Sequence, residues 1–227
     1  MTVLSILKKV PLFKSISEKD LGKIKSILRE KRFKKGEYIF SETEEGNEFY
    51  IVYEGRVKIY KVSNEGQIKA LDYLEKGNFF GEMALLDRNL RSANALAMED
   101  SCLFTINHRD FQEFLISQPK ILISITQTLC QRLRKADHEI ELFSFSNVKD
   151  RLITCLINLS EKYGEETSEG IKVTMKFTHK DLSELVGTAR EVITRIMKDL
   201  KEEKLLKSTK SGFIIPSLID LRKKIAD

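Results

Sequence analysis

The chain has 227 residues and no tryptophan, three prolines, three cysteines, three histidines and no long apolar run. Cys102, Cys130 and Cys155 lie far apart, each in an apolar context. Their spacing makes neither a metal site nor a disulfide framework, so all three are expected to be core thiols. An iron–sulfur sensor needs grouped cysteines, usually near the N-terminus, and the first here is Cys102. Haem would need axial ligands from His108, His138 and Cys102, for which ordinary packed or surface positions are the commoner explanation. The apolar stretch within residues 1–12 is broken by Lys8, Lys9 and Pro11, too short for a signal-peptide core. No later run approaches the roughly 20 residues of a membrane span, so the expectation is a cytoplasmic chain with no membrane partner. Charge of one sign is scarcely in excess: 39 Lys and Arg against 34 Asp and Glu, a net +5, tolerates a polyanionic partner without demanding one. Paired catalytic carboxylates, a metal cluster and a nucleophile with an orienting base are all missing, which argues against an enzyme, a nucleotide hydrolase included.

What is present is ordinary globular material, 41% hydrophobic and 32% charged, in a length that suits two modest domains. From Ser15 to Leu28, Ile16, Leu21, Ile24, Ile27 and Leu28 fall at helical spacing, with Ser17 able to cap the first turn. From Phe33 to about Phe104 the pattern becomes short β-branched and aromatic runs. Gly36, Gly46, Gly55, Gly66 and Gly77 punctuate them like the turns of an antiparallel sandwich or barrel. Pro119 opens a long helix on which Leu122, Ile125, Leu129, Leu133, Ala136, Ile140 and Phe143 form a stripe. That stripe is expected to cover its own domain and to pair with its copy in a homodimer. Residues 118–146 are therefore read as a dimerisation helix between an effector domain, 1–117, and a second domain, 147–227. In the latter, Val148 to Lys162 reads as an amphipathic helix and Gly164 to Gly170 as an exposed acidic loop.

Thr178 and Asp181 form a helix-start signal before Leu182, Leu185 and Val186, and Gly187 suits the left-handed stop before a second helix. Thr188 is expected to cap that second helix. Val192, Ile193, Ile196, Met197 and Leu200 form its inward face, leaving Arg190, Glu191 and Arg195 outside. Arginine matches the acceptor pair of guanine and glutamate can accept from cytosine, so the trio can read a G·C-containing major groove. Thr178, His179, Lys180, Thr188, Lys198, Lys201 and Lys210 are candidate phosphate contacts. Lys207 to Ile215 reads as a two-stranded wing.

The segment Phe177 to Arg195, FTHKDLSELVGTAREVITR, resembles the helix-turn-helix of the bacterial cyclic AMP receptor protein/Fnr (Crp/Fnr) regulators. Phe80 to Ala93, FGEMALLDRNLRSA, resembles that family's phosphate-binding cassette, and the likeness extends over nearly the whole chain. It implies an α+β fold: an N-terminal β-jelly-roll cyclic-nucleotide-binding-like domain, a long dimerisation helix and a C-terminal winged helix-turn-helix domain. It also implies an allosteric transcription regulator that binds palindromic double-stranded DNA with TGTGA-like half-sites and works with RNA polymerase. The implied effector is cyclic AMP or another cyclic nucleotide, at Gly81, Glu82, Met83, Arg91, Ser92, Ala93, Arg132, Ala136 and Asp137. Glu82 can accept from a ribose hydroxyl, and Arg91 with Ser92 can hold a phosphate. Equally, Glu82 and Arg91 could pair with each other in a protein of the same architecture that senses a different ligand or none. Ala136 and Asp137 stand where the cyclic AMP receptor has the Thr-Ser pair that contacts adenine, which leaves the base open.

Overall fold

The computed structural model describes residues 7, 8, 10–13, 16–209 and 212–225. Two compact units emerge, residues 1–65 with 70–134, and residues 66–69 with 135–227.

The first unit opens with α1 (Glu18–Ile27), capped by Ser17, whose hydroxyl accepts from the Asp20 amide. Strands β1 (Arg29–Phe33), β2 (Tyr38–Phe40), β3 (Glu48–Glu54), β4 (Val57–Val62), β5 (Ile68–Leu74), β6 (Phe79–Phe80), β7 (Asn94–Ala97) and β8 (Ser101–Asn107) follow, with α2 (Glu82–Asp87) between β6 and β7. They form two four-stranded sheets, ordered β1-β8-β3-β6 and β2-β7-β4-β5. Residues that alternate along each strand meet between the sheets: Phe40, Val52, Val57, Leu74, Phe80, Ala95 and Leu103 make this core. The intervening residues of β3 and β8, Phe49, Ile51, Phe104 and Ile106, face the other way. There they meet Leu21 and Ile24 of α1, Phe111 and Phe114 of α3 (His108–Ser117), and Ile121 and Ile125 of α4 (Pro119–Phe145). A strand buried on both faces reads as a continuous apolar run, as Phe49 to Tyr53 does.

The second unit contains the rest of α4, then α5 (Val148–Tyr163), capped by Asn147. Next come β9 (Gly164–Thr167), β10 (Gly170–Val173), α6 (His179–Val186), α7 (Arg190–Glu202), β11 (Lys207–Ser208), β12 (Phe213–Ile215) and α8 (Leu218–Lys223). Leu152 and Leu156 of α5, Leu182 and Val186 of α6, Ile193, Ile196 and Leu200 of α7, and Phe213 and Ile215 of β12 share one core. The strands order as β11-β12-β10-β9.

Three expectations need correction. Residues 164–170 are not a loop: β9 pairs with β10, Glu165 opposite Lys172 and Glu166 opposite Ile171. Its solvated acidic side chains are those of a charged sheet edge, and they disguised the strand. The stripe on α4 mixes two faces. Ile125, with Ile121, is buried in the core of its own unit, and Leu129 packs against that core, whereas Leu133 and Ile140 stay 63% and 64% exposed and Leu122 is exposed too. A helix turns about 100° per residue, so a core-facing row and an outward row can interleave at steps of three and four. The same rotation takes Cys130, next to Leu129, out to solvent, while Cys102 is buried and Cys155 half-buried.

Candidate functional site

In the first unit, Gly81 takes φ +81° immediately before α2 and places Glu82 inside, 1% exposed. Arg132 Nη1 donates to Glu82 Oε1 at 2.6 Å, and Arg132 Nη2 donates to the Phe79 carbonyl at 2.7 Å. Glu82 Oε2 is buried and has no hydrogen-bond partner among the described residues. Burial pushes this carboxyl above its ordinary pKa, and the nearby Arg132 guanidinium pulls it back down.

Arg91, 4% exposed, does not pair with Glu82. Its Nη1 donates to the Gly81 carbonyl at 2.9 Å and its Nη2 to the Glu48 carbonyl at 2.8 Å. The guanidinium lies 4.2 Å from the Phe40 ring centroid and 5.6 Å from that of Tyr50, and its buried Nε has no partner among the described residues. Burial lowers the Arg91 pKa, with Tyr50 and Glu48 acting against the shift. Two glycines let the cassette close on this side chain. A Cβ on Gly81 would fall 2.8 Å from Arg91 Nη1, and one on Gly46 would fall 2.2 Å from the Ala84 Cβ. The Glu48 carboxylate accepts from Lys31 Nζ at 2.6 Å and from the Tyr50 hydroxyl at 2.8 Å. Ser92 Oγ donates to Met83 Sδ at 3.5 Å; both residues are exposed and Ala93 is buried. Ala136 and Asp137 are exposed on α4, the first of them one helical turn beyond Arg132.

The sequence reading missed Gly46, Phe40, Tyr50 and Glu48. The aromatic residues carry the ordinary alternation of sheet positions, and Glu48 contributes through its backbone carbonyl, which no side-chain pattern reports. A buried carboxylate oxygen lacking a donor and a guanidinium nitrogen lacking an acceptor are complementary to a ligand that carries both hydroxyl and anionic groups.

In the second unit, Thr178 accepts from the Asp181 amide at 3.1 Å and Asp181 Oδ2 accepts from the Thr178 amide at 2.8 Å, a complete capping box for α6. Gly187 closes α6 at φ +71°, where a Cβ would fall 2.9 Å from the Phe143 ring. Ala189, not Thr188, is the N-cap of α7, and it makes no side-chain cap. Thr188 instead donates its amide to the Ser183 carbonyl at 3.1 Å, which ties it to the exit of α6.

Ile193, Ile196, Met197 and Leu200 are buried beneath α7, and Arg190, Glu191 and Arg195 stand exposed in its first two turns. None of the three pairs with a charged group among the described residues. Lys180 and Lys201 are also exposed, Lys198 lies 3.6 Å from Glu202, and Lys210 falls outside the described residues. His179 Nδ1 lies 2.9 Å from Thr194 Oγ1, and burial, followed by Lys201 and Arg190, lowers the histidine's pKa.

A winged helix-turn-helix that presents two arginines and a glutamate, on a chain whose other unit is a two-sheet roll that buries Glu82 and Arg91, is the build of a ligand-sensing DNA-binding regulator. Residues 30–118 match the cyclic nucleotide-binding domain family, and residues 150–224 match the Crp-like helix-turn-helix domain family. The cyclic AMP receptor protein of Thermus thermophilus is 30% identical over 197 residues, covering 87% of this chain and 88% of the relative. The global nitrogen regulator of Synechococcus elongatus is 28% identical over 190 residues, covering 83% and 86%. A CooA mutant from Carboxydothermus hydrogenoformans shares the fold with a TM-score of 0.79 at 22% identity, covering 89% of each chain. The chain belongs to the CRP/FNR family of DNA-binding transcription regulators. Among the described residues, no helix is long and apolar enough to cross a membrane.

Proposed function

We propose that this regulator acts as a homodimer whose affinity for DNA is set by a small anionic effector of the cyclic-nucleotide type. The effector is held by Gly81, Glu82, Met83, Arg91, Ser92, Ala93 and Arg132. The observation that carries this reading is the buried Glu82 Oε2, which has no donor among the described residues, on a carboxyl whose other oxygen Arg132 holds. A ribose hydroxyl supplies the missing donor, and the ligand's negative charge is offset by the Arg91 guanidinium. The name of the Thermus thermophilus relative, a cyclic AMP receptor, supports the same class of effector.

The working segments are then 1–117 for effector binding, 118–146 for dimerisation and 147–227 for DNA. Arg190, Glu191 and Arg195 read G·C pairs in a palindrome whose half-site centres lie about one helical turn, roughly 34 Å, apart. His179, Lys180, Lys198 and Lys201, with Thr178 and Thr188, meet phosphates. The complex acts on transcription through RNA polymerase. An effector shifts DNA affinity only by its differential affinity for two arrangements of the dimer.

Isothermal titration with cyclic AMP and cyclic GMP tests the effector class: saturable heat from at least one is expected, abolished in Glu82→Ala. Folded protein that gives no heat with either nucleotide overturns it. One observation favours a different ligand in the same pocket, because Arg91 Nη1 and Nη2 are already engaged by the Gly81 and Glu48 carbonyls. Titration with cyclic di-GMP and with non-nucleotide anions separates that reading from the first.

A further inference from the structure

The imidazole of His179 sits between the two helices of the DNA-reading motif. It belongs to the first turn of α6, and its Nδ1 meets Thr194 Oγ1, on α7, at 2.9 Å. Thr194 Oγ1 is in turn 2.9 Å from the carbonyl of Arg190, the first residue of α7. A hydroxyl carries one proton. With that proton given to the Arg190 carbonyl, Thr194 Oγ1 accepts from an Nδ1–H, an arrangement that the imidazolium satisfies without any atom moving. Nε2 has no hydrogen-bond partner among the described residues, and His179 is partly exposed. Protonation therefore leaves the Thr194 relay intact and adds a donor and a positive charge at Nε2.

We infer that His179 takes up a proton from solution when DNA binds, so that Nε2–H of the imidazolium donates to a backbone phosphate and operator affinity rises as pH falls. This rests on the reading above that His179 faces phosphate. The charged groups that act on the ring are Lys201 and Arg190 on α7; Lys180 and Asp181 follow it in sequence on its own helix, the latter with its carboxylate on Thr178. In the free protein, burial and the two α7 cations hold the ring below its ordinary pKa, which favours the neutral form. A phosphate brought to Nε2 acts with the opposite sign and favours the cation. The linkage follows: affinity is independent of pH well above the DNA-bound pKa, rises as pH falls between the bound and free values, and levels off below the free value. Its limiting slope is about tenfold per pH unit for each protomer that takes up one proton.

The test is fluorescence anisotropy with the full chain and a labelled duplex bearing two inverted TGTGA half-sites, from pH 6 to 8.5 at one fixed, low ionic strength. Phosphate contacts carry both specific and non-specific affinity under those conditions. The wild type is expected to bind several-fold more tightly at pH 6.5 than at pH 8. His179→Gln should bind weakly with most of that slope gone, and His179→Arg, with its permanent charge, should restore tight binding that no longer depends on pH. Wild-type calorimetry in two buffers of different ionisation enthalpy should show proton uptake that His179→Gln lacks. A pH slope unchanged in His179→Gln, or a wild type that binds this duplex with no slope, overturns the proton linkage while DNA binding stands. Absence of any binding by the wild type, specific or non-specific, overturns the phosphate-contact reading itself.

Discussion

Arg132, on the long helix, holds one oxygen of the buried Glu82 carboxyl at 2.6 Å and leaves the other oxygen without a partner among the described residues. Taking a carboxylate out of water is costly, and this one keeps its place through a single guanidinium whose second nitrogen is committed to the Phe79 carbonyl.

Removing the guanidinium exposes what the pair does. Arg132→Ala should destabilise the chain by about 3 kcal/mol, the low end for breaking a buried pair because the Arg132 side chain is about one-third exposed. Arg132→Lys should recover only part of this, since an ammonium lacks the fork that reaches Glu82 and Phe79 together. Urea unfolding midpoints measure both.

The pH dependence of stability carries the signature of Glu82. Its folded pKa is raised by burial, against Arg132, so the native state holds a proton that the unfolded chain has already released. The associated stability is complete below the unfolded value of about 4.5 and is lost as pH rises through the folded value. Comparing wild type with Glu82→Gln from pH 4 to 8, the variant should gain relative stability as pH rises. A constant difference would remove this assignment.

Gly187→Ala tests the turn between the two helices. An L-residue at φ +71° costs about 1–2 kcal/mol, and the new methyl would also meet the Phe143 ring at 2.9 Å. The loss in thermal stability should be smaller in a Phe143→Ala background, because only the steric part depends on that ring.

Base reading and phosphate contact separate by salt and sequence. Arg190→Ala should cost about 1–3 kcal/mol and relax preference at one G·C pair, whereas Lys201→Ala should weaken all duplexes alike and lower the salt slope by about 1. Selection from a random duplex pool, followed by titrations at two salt concentrations, gives both numbers. Uniform loss in Arg190→Ala would rule out direct readout by that side chain.

Two faces of α4 predict two different failures. Leu133→Glu and Ile140→Glu, on the exposed row, should yield a folded monomer in light scattering. Ile125→Ala, inside the core of the first unit, should cost about 2–5 kcal/mol in unfolding experiments with the dimer intact at native conditions.

Local chemistry was legible from the residues alone. Ser17, Pro119 and Thr178 with Asp181 mark helix starts, Gly187 marks a stop, and the inward row of Ile193, Ile196, Met197 and Leu200 leaves Arg190, Glu191 and Arg195 outside. Each of these depends on residues within a turn or two of one another, so spacing is enough to find them. The cassette was legible as a motif, through Gly81, Glu82 and Arg91, but the bonds those side chains make were not.

Whatever depends on residues far apart in the chain was settled by packing. The expected alternative, Glu82 against Arg91, gave way to Glu82 against Arg132 and Arg91 against two backbone carbonyls. A carboxylate or a guanidinium satisfies its charge with whichever partner the folded backbone brings within reach, and carbonyl partners leave no mark in a sequence. The split of α4 into a core-facing row and an exposed row, and the acidic edge strand of residues 164–167, were decided in the same way. Residue pattern determined which segments are helices and strands and which residue types the protein offers to a ligand and to DNA. Only the tertiary structure determined which of those groups are already spent on one another, because burial removes water as the competing partner and makes each unpaired polar atom costly.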